Sequence, residues 1–278
     1  MGIRIIVDST ADLLKEIKDQ VTVVPLTLRF GDEEFVDGVD IDHRKFYEKL
    51  VDSDVLPTTS QATPAAYVPY FDEVKDNGDT AIVMTLAQKL SGTYQSATIA
   101  ASDYDNIFVV ESGSAAIGFG VLVEYAVRLV KEGKSAEEIV SLLEEKKNDV
   151  VVMAVLDTLE YLKKGGRISA SVAFVGGVLN IKPVISLIKG EISMIGKARG
   201  AVQGNKLLAQ EIEKAGSVDA SMPLMFGYSG LDDEAVKKFV SDNSQMWKTD
   251  DYSISPIGSI IGTHIGPGAV AIAFFKNN

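Results

Sequence analysis

The 278-residue sequence contains no cysteine and only two histidines, His43 and His264. The absence of cysteine excludes disulfide bonds, cysteine-ligated zinc, iron–sulfur clusters and thiol catalysis, and it fits a reducing compartment. We therefore predict a cytoplasmic protein. Because two histidines leave little for a histidine-based metal site, we also expect neither a metal nor another cofactor.

Positive charge is scarce, since 27 Lys and Arg stand against 39 Asp and Glu, which gives a net charge of −12. Such a chain repels polyanions on average, so we expect no nucleic-acid partner. The longest stretch without a charged side chain, residues 252–275, contains two prolines and four glycines. This composition favours a packed loop followed by a buried strand over a membrane span, and we expect no stable membrane insertion.

The rest of the sequence alternates between strand-like and helix-like segments. Strands are predicted at residues 3–7, 21–30, 80–86, 107–110, 150–156, 183–188, 191–195, 224–228 and 269–275. Helices are predicted from about Ala11 and at residues 43–51, 65–75, 91–102, 115–131, 135–147, 201–214 and 233–241. Such alternation is typical of covered, mostly parallel sheets. The pattern changes near Tyr161, so the sequence predicts two α/β domains: 1–160 with a mostly parallel sheet, and 161–278.

Charge is divided unevenly along the chain. Residues 31–54 hold nine acids and three bases, a net charge of −6, which is the pattern of a solvated face. Residues 161–206 hold eight bases and one acid, a net charge of +7, within a glycine-rich and otherwise apolar stretch. A solvated face is the plain explanation here too, but it is less convincing for a basic, otherwise apolar segment in a chain of net charge −12.

The common nucleotide and hydrolase signatures are incomplete. Gly133-Lys134-Ser135 resembles the end of a phosphate loop, but the glycine required five residues earlier is Arg128. Gly118 and Gly120 begin a dinucleotide fingerprint that fails at Val123. No Gly-x-Ser-x-Gly elbow occurs, which weakens an α/β-hydrolase interpretation.

Three polar loops remain, at residues 57–64, 91–96 and 262–268. The first carries hydroxyl and amide side chains between two prolines. The second opens a predicted helix, where free backbone N–H groups attract anions. The third sets His264 in a Gly-Pro-Gly frame. Ordinary helix caps explain the first two equally well, and a satisfied structural histidine explains the third.

Together, the hydroxyls of Thr59 and Ser91 and the imidazole of His264 suit a carboxylate or phosphate head group. Ser91 and His264 are also a candidate nucleophile and base, although no elbow or third member supports a serine acyl hydrolase. A sensor of small anionic ligands is a further alternative.

Six fragments make the sequence resemble the DegV family, which includes the fatty-acid-binding subunits of bacterial fatty acid kinase. In this order and spacing they are specific, and they span nearly the whole chain. The fragments are Asp8-Ser9-Thr10-Ala11-Asp12-Leu13, Pro57-Thr58-Thr59-Ser60-Gln61, Leu90-Ser91-Gly92-Thr93-Tyr94, Leu162-Lys163-Lys164-Gly165-Gly166-Arg167-Ile168, Lys182-Pro183 and His264-Ile265-Gly266-Pro267-Gly268.

The resemblance implies two α/β domains with a long-chain fatty acid held in an apolar tunnel between them, its carboxylate near the surface. It implies that Thr59 and Ser91 hydrogen-bond the carboxylate, that Ser60 and Gly92 shape the site, and that His264 belongs to the same polar network. The tunnel walls would include residues 113–123 and 168–181, for which plain core packing is the alternative.

The resemblance further implies a partner. Arg167 and Arg199 would face an ATP-binding fatty acid kinase subunit or the phosphate it delivers. That partner phosphorylates the carboxylate, and the resulting acyl phosphate enters phospholipid synthesis. The chain itself would be a non-catalytic subunit that presents the fatty acid.

Overall fold

The structure, a computed structural model, describes residues 2–169 and 180–277. Its strands are β1 (Ile3–Asp8), β2 (Thr22–Val24), β3 (Thr27–Phe30), β4 (Glu33–Val36), β5 (Thr58–Ser60), β6 (Thr80–Thr85), β7 (Ile107–Glu111), β8 (Val150–Val155), β9 (Ile181–Ile188), β10 (Glu191–Arg199), β11 (Leu224–Tyr228), β12 (Ser253–Pro256) and β13 (Val270–Phe275). Its helices are α1 (Lys15–Lys18), α2 (His43–Asp52), α3 (Pro64–Asp76), α4 (Thr93–Ala101), α5 (Ala116–Lys131), α6 (Ala136–Lys146), α7 (Glu160–Lys164), α8 (Ala201–Ala215), α9 (Glu234–Asp242) and α10 (Ser259–Ile265). Short 3₁₀ turns cover Ser9–Ala11, Lys147–Asp149 and Ser244–Met246.

The strands form three sheets. The first has the order β2-β1-β6-β7, and all its pairings are parallel. The second has the order β10-β9-β8-β13-β11-β12 and is antiparallel except between β11 and β12. A small antiparallel sheet, β4-β3-β5, completes the set. The predicted α/β class is therefore confirmed, with a second sheet that is mixed.

Strand β8 lies in the second sheet and not, as predicted, at the end of the first half. It pairs antiparallel with both β9 and β13, with Ala154 opposite Ala271. Its residues are apolar throughout, so its sequence fits either sheet and packing decides the partner. The domain division near residue 160 stays a prediction.

The strand predicted at residues 21–30 is two strands in different sheets. Pro25 separates β2, which pairs parallel with β1, from β3, which pairs antiparallel with β4 and β5. Proline has no N–H to donate to a ladder, which explains the break. The helix predicted from about Ala11 is a 3₁₀ turn, and the carboxylate of Asp8 accepts a 3.0 Å hydrogen bond from the Thr10 amide at its start.

Helix α5 is buried between the first and second sheets, contacting β1 on one side and β11 and β13 on the other. Two glycines allow this close packing. A Cβ at Gly118 would lie 2.0 Å from a methyl of Val152, and one at Gly120 would lie 2.6 Å from the carbonyl oxygen of Ala11. The near-absence of charge in the first half of this helix follows from that position.

Helix α10 occupies a stretch that was predicted to be a loop. The three glycines and one proline of residues 262–268 indicate a loop, but Gly262 is needed for contact with α2. A Cβ there would lie 2.5 Å from the hydroxyl of Tyr47 and 2.7 Å from the ring of Phe46. The start of the helix is held by Asp12, whose Oδ1 accepts a 2.8 Å hydrogen bond from the Gly258 amide. His264 therefore lies in the last turn of a helix.

Candidate ligand-binding site

An apolar cavity opens between the segments that carry the polar motifs. It encloses about 900 Å³ free of protein atoms, counted with its opening to solvent. Most of the described residues that line it are apolar: Leu26, Leu86, Leu90, Ala115, Ala116, Ile117, Val152, Met153, Ala154, Leu156, Leu162, Ile185, Leu187, Ile192, Ile257, Ile260, Ile261, Ile265 and Ala271. Its polar lining residues are Thr59, Ser60, Gln61, Ser91, Arg167, Ser186 and His264. A hydrocarbon chain therefore finds an apolar wall over most of its length.

Six of these polar residues form what we call the polar mouth: Thr59, Ser60, Gln61, Ser91, Arg167 and His264. Three of them follow one another on and just after β5, and Ser60 and Gln61 are solvent-exposed. The mouth is thus where the cavity meets water. The remaining polar residue, Ser186, is buried in β9 and satisfied, since its hydroxyl donates to the carbonyl of Val152 at 2.9 Å.

Thr59 and His264 are joined by a hydrogen bond across the mouth. Thr59 Oγ1 lies 2.9 Å from His264 Nε2, although the two residues are 205 positions apart in sequence. The other ring nitrogen, Nδ1, is buried and has no hydrogen-bond partner among the described residues. It faces Gly165, where a Cβ would lie only 2.2 Å away.

His264 is neutral at physiological pH. The pKa of its ring is lowered from 6.5 to about 4, chiefly by burial and in smaller part by the positive charge of Arg167. Burial disfavours the charged imidazolium, and a nearby guanidinium repels it. The ring thus offers a single N–H at the mouth, and no positive charge.

Arg167 supplies the positive charge instead. Its Nε donates to the carbonyl of Leu90 at 3.2 Å, and one terminal nitrogen donates to the carbonyl of Gly165 at 2.6 Å. These bonds tie the loop before Ser91 to the end of α7. They also hold the guanidinium against the cavity wall. Its second terminal nitrogen donates to no other described residue, so it is able to donate to an anion.

The loop at Ser91 is closed by short local contacts. Ser91 Oγ lies 2.9 Å from Thr93 Oγ1, and Gly92 precedes the first residue of α4. The Gln61 side chain lies against Gly92, where a Cβ would come within 2.1 Å of Oε1. Gln61 also donates to Ser96 on α4 at 2.9 Å. This contact connects β5 to α4 and sets the spacing between the two hydroxyl-bearing loops.

The geometry does not favour the hydrolase alternative. A nucleophilic serine needs a hydrogen bond to its base, yet Ser91 pairs with Thr93 and His264 pairs with Thr59. No hydrogen bond joins Ser91 to His264 in the described part of the chain. A ring with a pKa of about 4 is also a weak base near neutral pH.

Five of the seven predicted site residues therefore meet at the cavity. Neither Gly92 nor Arg199 is among the described lining residues: Gly92 contacts Gln61, which is, and Arg199 lies exposed on β10. The predicted wall 113–123 contributes Ala115, Ala116 and Ile117. The other predicted wall is residues 168–181, and most of it, residues 170–179, lies outside the described residues.

Two contributors were not predicted. Gln61 belongs to the polar loop at residues 57–64, but its position between β5 and α4 is revealed only by its contacts with Gly92 and Ser96. Gly165 lies in the Lys-Lys-Gly-Gly-Arg fragment, but the closeness of His264 depends on the tertiary fold. The roles of all these residues in binding remain predictions.

An apolar cavity with hydroxyl, imidazole and guanidinium groups at its mouth is chemically suited to an amphiphile with an anionic head. Comparison with protein families matches residues 2–277 to the family described as "Uncharacterised protein, DegV family". The chain belongs to the DegV family. A DegV domain-containing protein of Caldanaerobacter subterraneus subsp. tengcongensis is 34% identical over 280 residues, covering 98% of both chains.

Solved structures show the same fold. A DegV family protein from Thermus thermophilus, described as fatty acid binding, superposes with a TM-score of 0.89 at 30% identity over all of both chains. A stearic acid-binding protein from Eubacterium ventriosum matches with a TM-score of 0.89 at 28% identity, covering 99% of this chain and 98% of its own.

Two searches of residues 2–169 and 180–277 gave negative results. None of the helices there is long and apolar enough to cross a bilayer. Nor does that part of the chain bring together three or more His, Asp or Glu side chains in an arrangement able to hold a metal ion.

Proposed function

We propose that this protein binds a long-chain fatty acid, with the acyl chain in the apolar cavity and the carboxylate at the polar mouth. The observation that carries the proposal is the Thr59–His264 hydrogen bond set at the open end of an otherwise apolar cavity. Solved relatives from Thermus thermophilus and Eubacterium ventriosum, described as binding fatty acid and stearic acid, support the choice of ligand.

The energetics are consistent with that ligand. Each buried CH₂ group contributes about 0.8 kcal/mol, so a sixteen-carbon chain offers on the order of 10 kcal/mol before the cost of association. A carboxylate is costly to desolvate unless several donors converge on it. Donors at the mouth include the hydroxyls of Thr59 and Ser91 and the guanidinium of Arg167.

We further propose that the protein is a non-catalytic subunit that presents this carboxylate to an ATP-dependent kinase in the cytoplasm. The kinase transfers the terminal phosphoryl group of ATP to a carboxylate oxygen, giving an acyl phosphate and ADP. Arg167 at the mouth and the exposed Lys163 and Lys164 on α7 support a docking face for an acidic partner there. Arg199, exposed on β10, is assigned to the same partner from the family resemblance.

Native mass spectrometry of the purified protein tests lipid binding. We expect a mass increment that matches a long-chain fatty acid and disappears after solvent extraction. Ser91→Ala should retain less lipid, and neither protein should hydrolyse acyl esters. A wild-type protein that stays empty when incubated with palmitate or stearate contradicts the proposal.

Pull-down with a purified ATP-binding fatty acid kinase subunit tests the partner. Arg167→Ala and Arg199→Ala should weaken capture, whereas Lys214→Ala, an exposed lysine outside the basic segment, should not. The fatty acid retained by each variant is measured in parallel, so that a loss of kinase binding can be distinguished from a loss of fatty-acid binding. Equal capture of all variants, or no capture of the wild type, favours the alternative of a ligand sensor without a kinase.

A further inference from the structure

The imidazole of His264 is seated against a residue that has no side chain. Gly165 follows the last turn of α7, and a Cβ at that position would lie 2.2 Å from His264 Nδ1 and 3.0 Å from Cε1. The first distance is shorter than any van der Waals contact allows, and the second is at the lower limit. His264 can therefore hold its present ring position only because residue 165 is glycine.

The backbone does not require glycine at this position. Gly165 has φ −72° and ψ −11°, which is ordinary right-handed helical geometry that any residue adopts. Its neighbour Gly166, in contrast, has φ +70°, in the region that favours glycine. Among the described residues, the three atoms nearest to a Cβ at 165 are two of the His264 ring and, at 3.1 Å, the carbonyl oxygen of Tyr161.

The surroundings of the two ring nitrogens determine where the single proton of the neutral imidazole lies. Nε2 is 2.9 Å from Thr59 Oγ1, whereas Nδ1 is buried against Gly165 without a partner among the described residues. A proton on Nδ1 would be a buried N–H with no acceptor, which folded proteins rarely tolerate. A proton on Nε2 leaves only a lone pair unpaired and donates to Thr59.

This assignment fixes the direction of the next hydrogen bond. When Nε2–H donates to Thr59 Oγ1, the oxygen acts as acceptor and the hydroxyl hydrogen remains available. Thr59 lines the cavity mouth, so its hydrogen is free to point to a ligand oxygen there. An acceptor-only group such as a carboxylate is then the matching partner.

We propose that Gly165 is a positioning residue, which seats His264 as the neutral Nε2–H tautomer and thereby makes Thr59 a hydrogen-bond donor to the anionic head group. Gly165 leaves room for the His264 ring, the His264 N–H donates to Thr59, and the Thr59 hydroxyl then donates to the ligand. The role of Thr59 toward a carboxylate rests on the proposed function, whereas the tautomer is a property of the protein alone.

The tautomer is measured directly by ¹⁵N NMR of histidine-labelled protein. The chain has only two histidines, so the His264 signals are those missing from the spectrum of His264→Ala. We expect a protonated Nε2 and an unprotonated Nδ1 in the wild type near pH 7. A protonated Nδ1, or a ring carrying both protons, overturns the proposal without touching fatty-acid binding.

A double-mutant cycle tests the positioning role. We expect Gly165→Ala and His264→Ala each to weaken the affinity for palmitate about tenfold or more, as loss of a hydrogen bond to a charged group does. The double variant should be no weaker than His264→Ala alone, because Gly165 acts through that ring. Additive losses, or a Gly165→Ala protein that binds like the wild type, contradict the positioning role.

Failure of the proposed function gives a different result. If the wild type shows the expected tautomer but does not bind palmitate, the fatty-acid proposal is overturned and the ligand of the Thr59 hydroxyl is not a fatty acid. If it binds palmitate with the other tautomer, only the inference about Gly165 and His264 is overturned. Circular dichroism of each variant, including the His264→Ala protein used to assign the spectrum, confirms that the fold is kept.

Discussion

The guanidinium of Arg167 and the imidazole of His264 face the same cavity, and the positive charge of Arg167 adds to burial in lowering the pKa of His264 to about 4. The two side chains also meet the same glycine, since Arg167 donates to the carbonyl of Gly165 and the His264 ring lies where a Cβ of that residue would be. One residue thus carries the charge at the mouth while the other is kept neutral beside it.

Arg167→Met should raise the pKa of His264 above its value of about 4. Because burial is the larger cause, we expect the pKa to remain below the ordinary 6.5. An NMR titration of the His264 ring measures the pKa in the variant and shows whether it lies between about 4 and 6.5. Lys164→Met is the control. It removes an exposed positive charge three residues before Arg167 and should change the pKa of His264 less. An unchanged pKa in Arg167→Met would show that the guanidinium does not act on the ring.

His264 should make the folded state less stable in acid. Its pKa is about 4 when folded and 6.5 when unfolded, so between these values the unfolded chain binds the proton more readily. Its contribution to stability is therefore complete above about pH 6.5 and is lost as the pH falls toward 4. We expect the stability difference between the wild type and His264→Gln to change by about 3 kcal/mol between pH 7 and pH 4, as measured by urea unfolding.

Buried Asp8 has the opposite effect. Its pKa is raised, chiefly by burial, from 3.8 to about 6, so between these values the folded state binds the proton more readily. Lowering the pH through this range stabilises the fold through Asp8 and offsets the loss from His264. Asp8→Asn should therefore steepen the loss of stability in acid, and His264→Gln should reduce it. Parallel pH profiles for the two variants would contradict both assignments.

Strand and helix positions were largely predictable, but their partners were not. The apolar runs at β1, β6 and β7 and the amphipathic pattern of α2 are local signals, and the structure has these elements close to the predicted bounds. β8 is apolar in the same way, yet it joins the other sheet. The choice depends on packing against β9 and β13, which are more than 25 positions away in the sequence.

In the candidate site, too, some residues could be predicted from local sequence and others depend on the tertiary fold. Thr59, Ser91 and His264 stood out because polar side chains beside Gly and Pro are unusual in an otherwise apolar setting. Gly165 gave no comparable signal, because its importance lies in the missing Cβ and in a ring that is 99 positions away. Helix α10 was taken for a loop because Gly262 suggests a break, whereas the fold uses that glycine for contact with Tyr47.

Thr59→Val should weaken fatty-acid binding by roughly tenfold or more, because it removes the hydroxyl and keeps the shape of the side chain. Thr58→Val is the matched control. Thr58 is the neighbouring residue of β5, so its side chain points to the opposite face, and it does not belong to the described cavity lining. Isothermal titration with palmitate compares the two variants, and an equal effect of both would remove Thr59 from the site.

Ala271→Leu should shorten the acyl chain that the protein retains. Ala271 lies on β13 opposite Ala154, and both line the cavity, so a leucine there fills space that the hydrocarbon would occupy. We expect occupancy by long-chain fatty acids to fall about tenfold or more relative to shorter ones, as measured by mass spectrometry of extracted lipid.

Ala273→Leu, on the same strand but outside the described lining, is the control. It should overpack the core and lower stability by about 1–3 kcal/mol without changing the chain-length preference. An unchanged lipid profile in Ala271→Leu would mean that the acyl chain does not pass this strand.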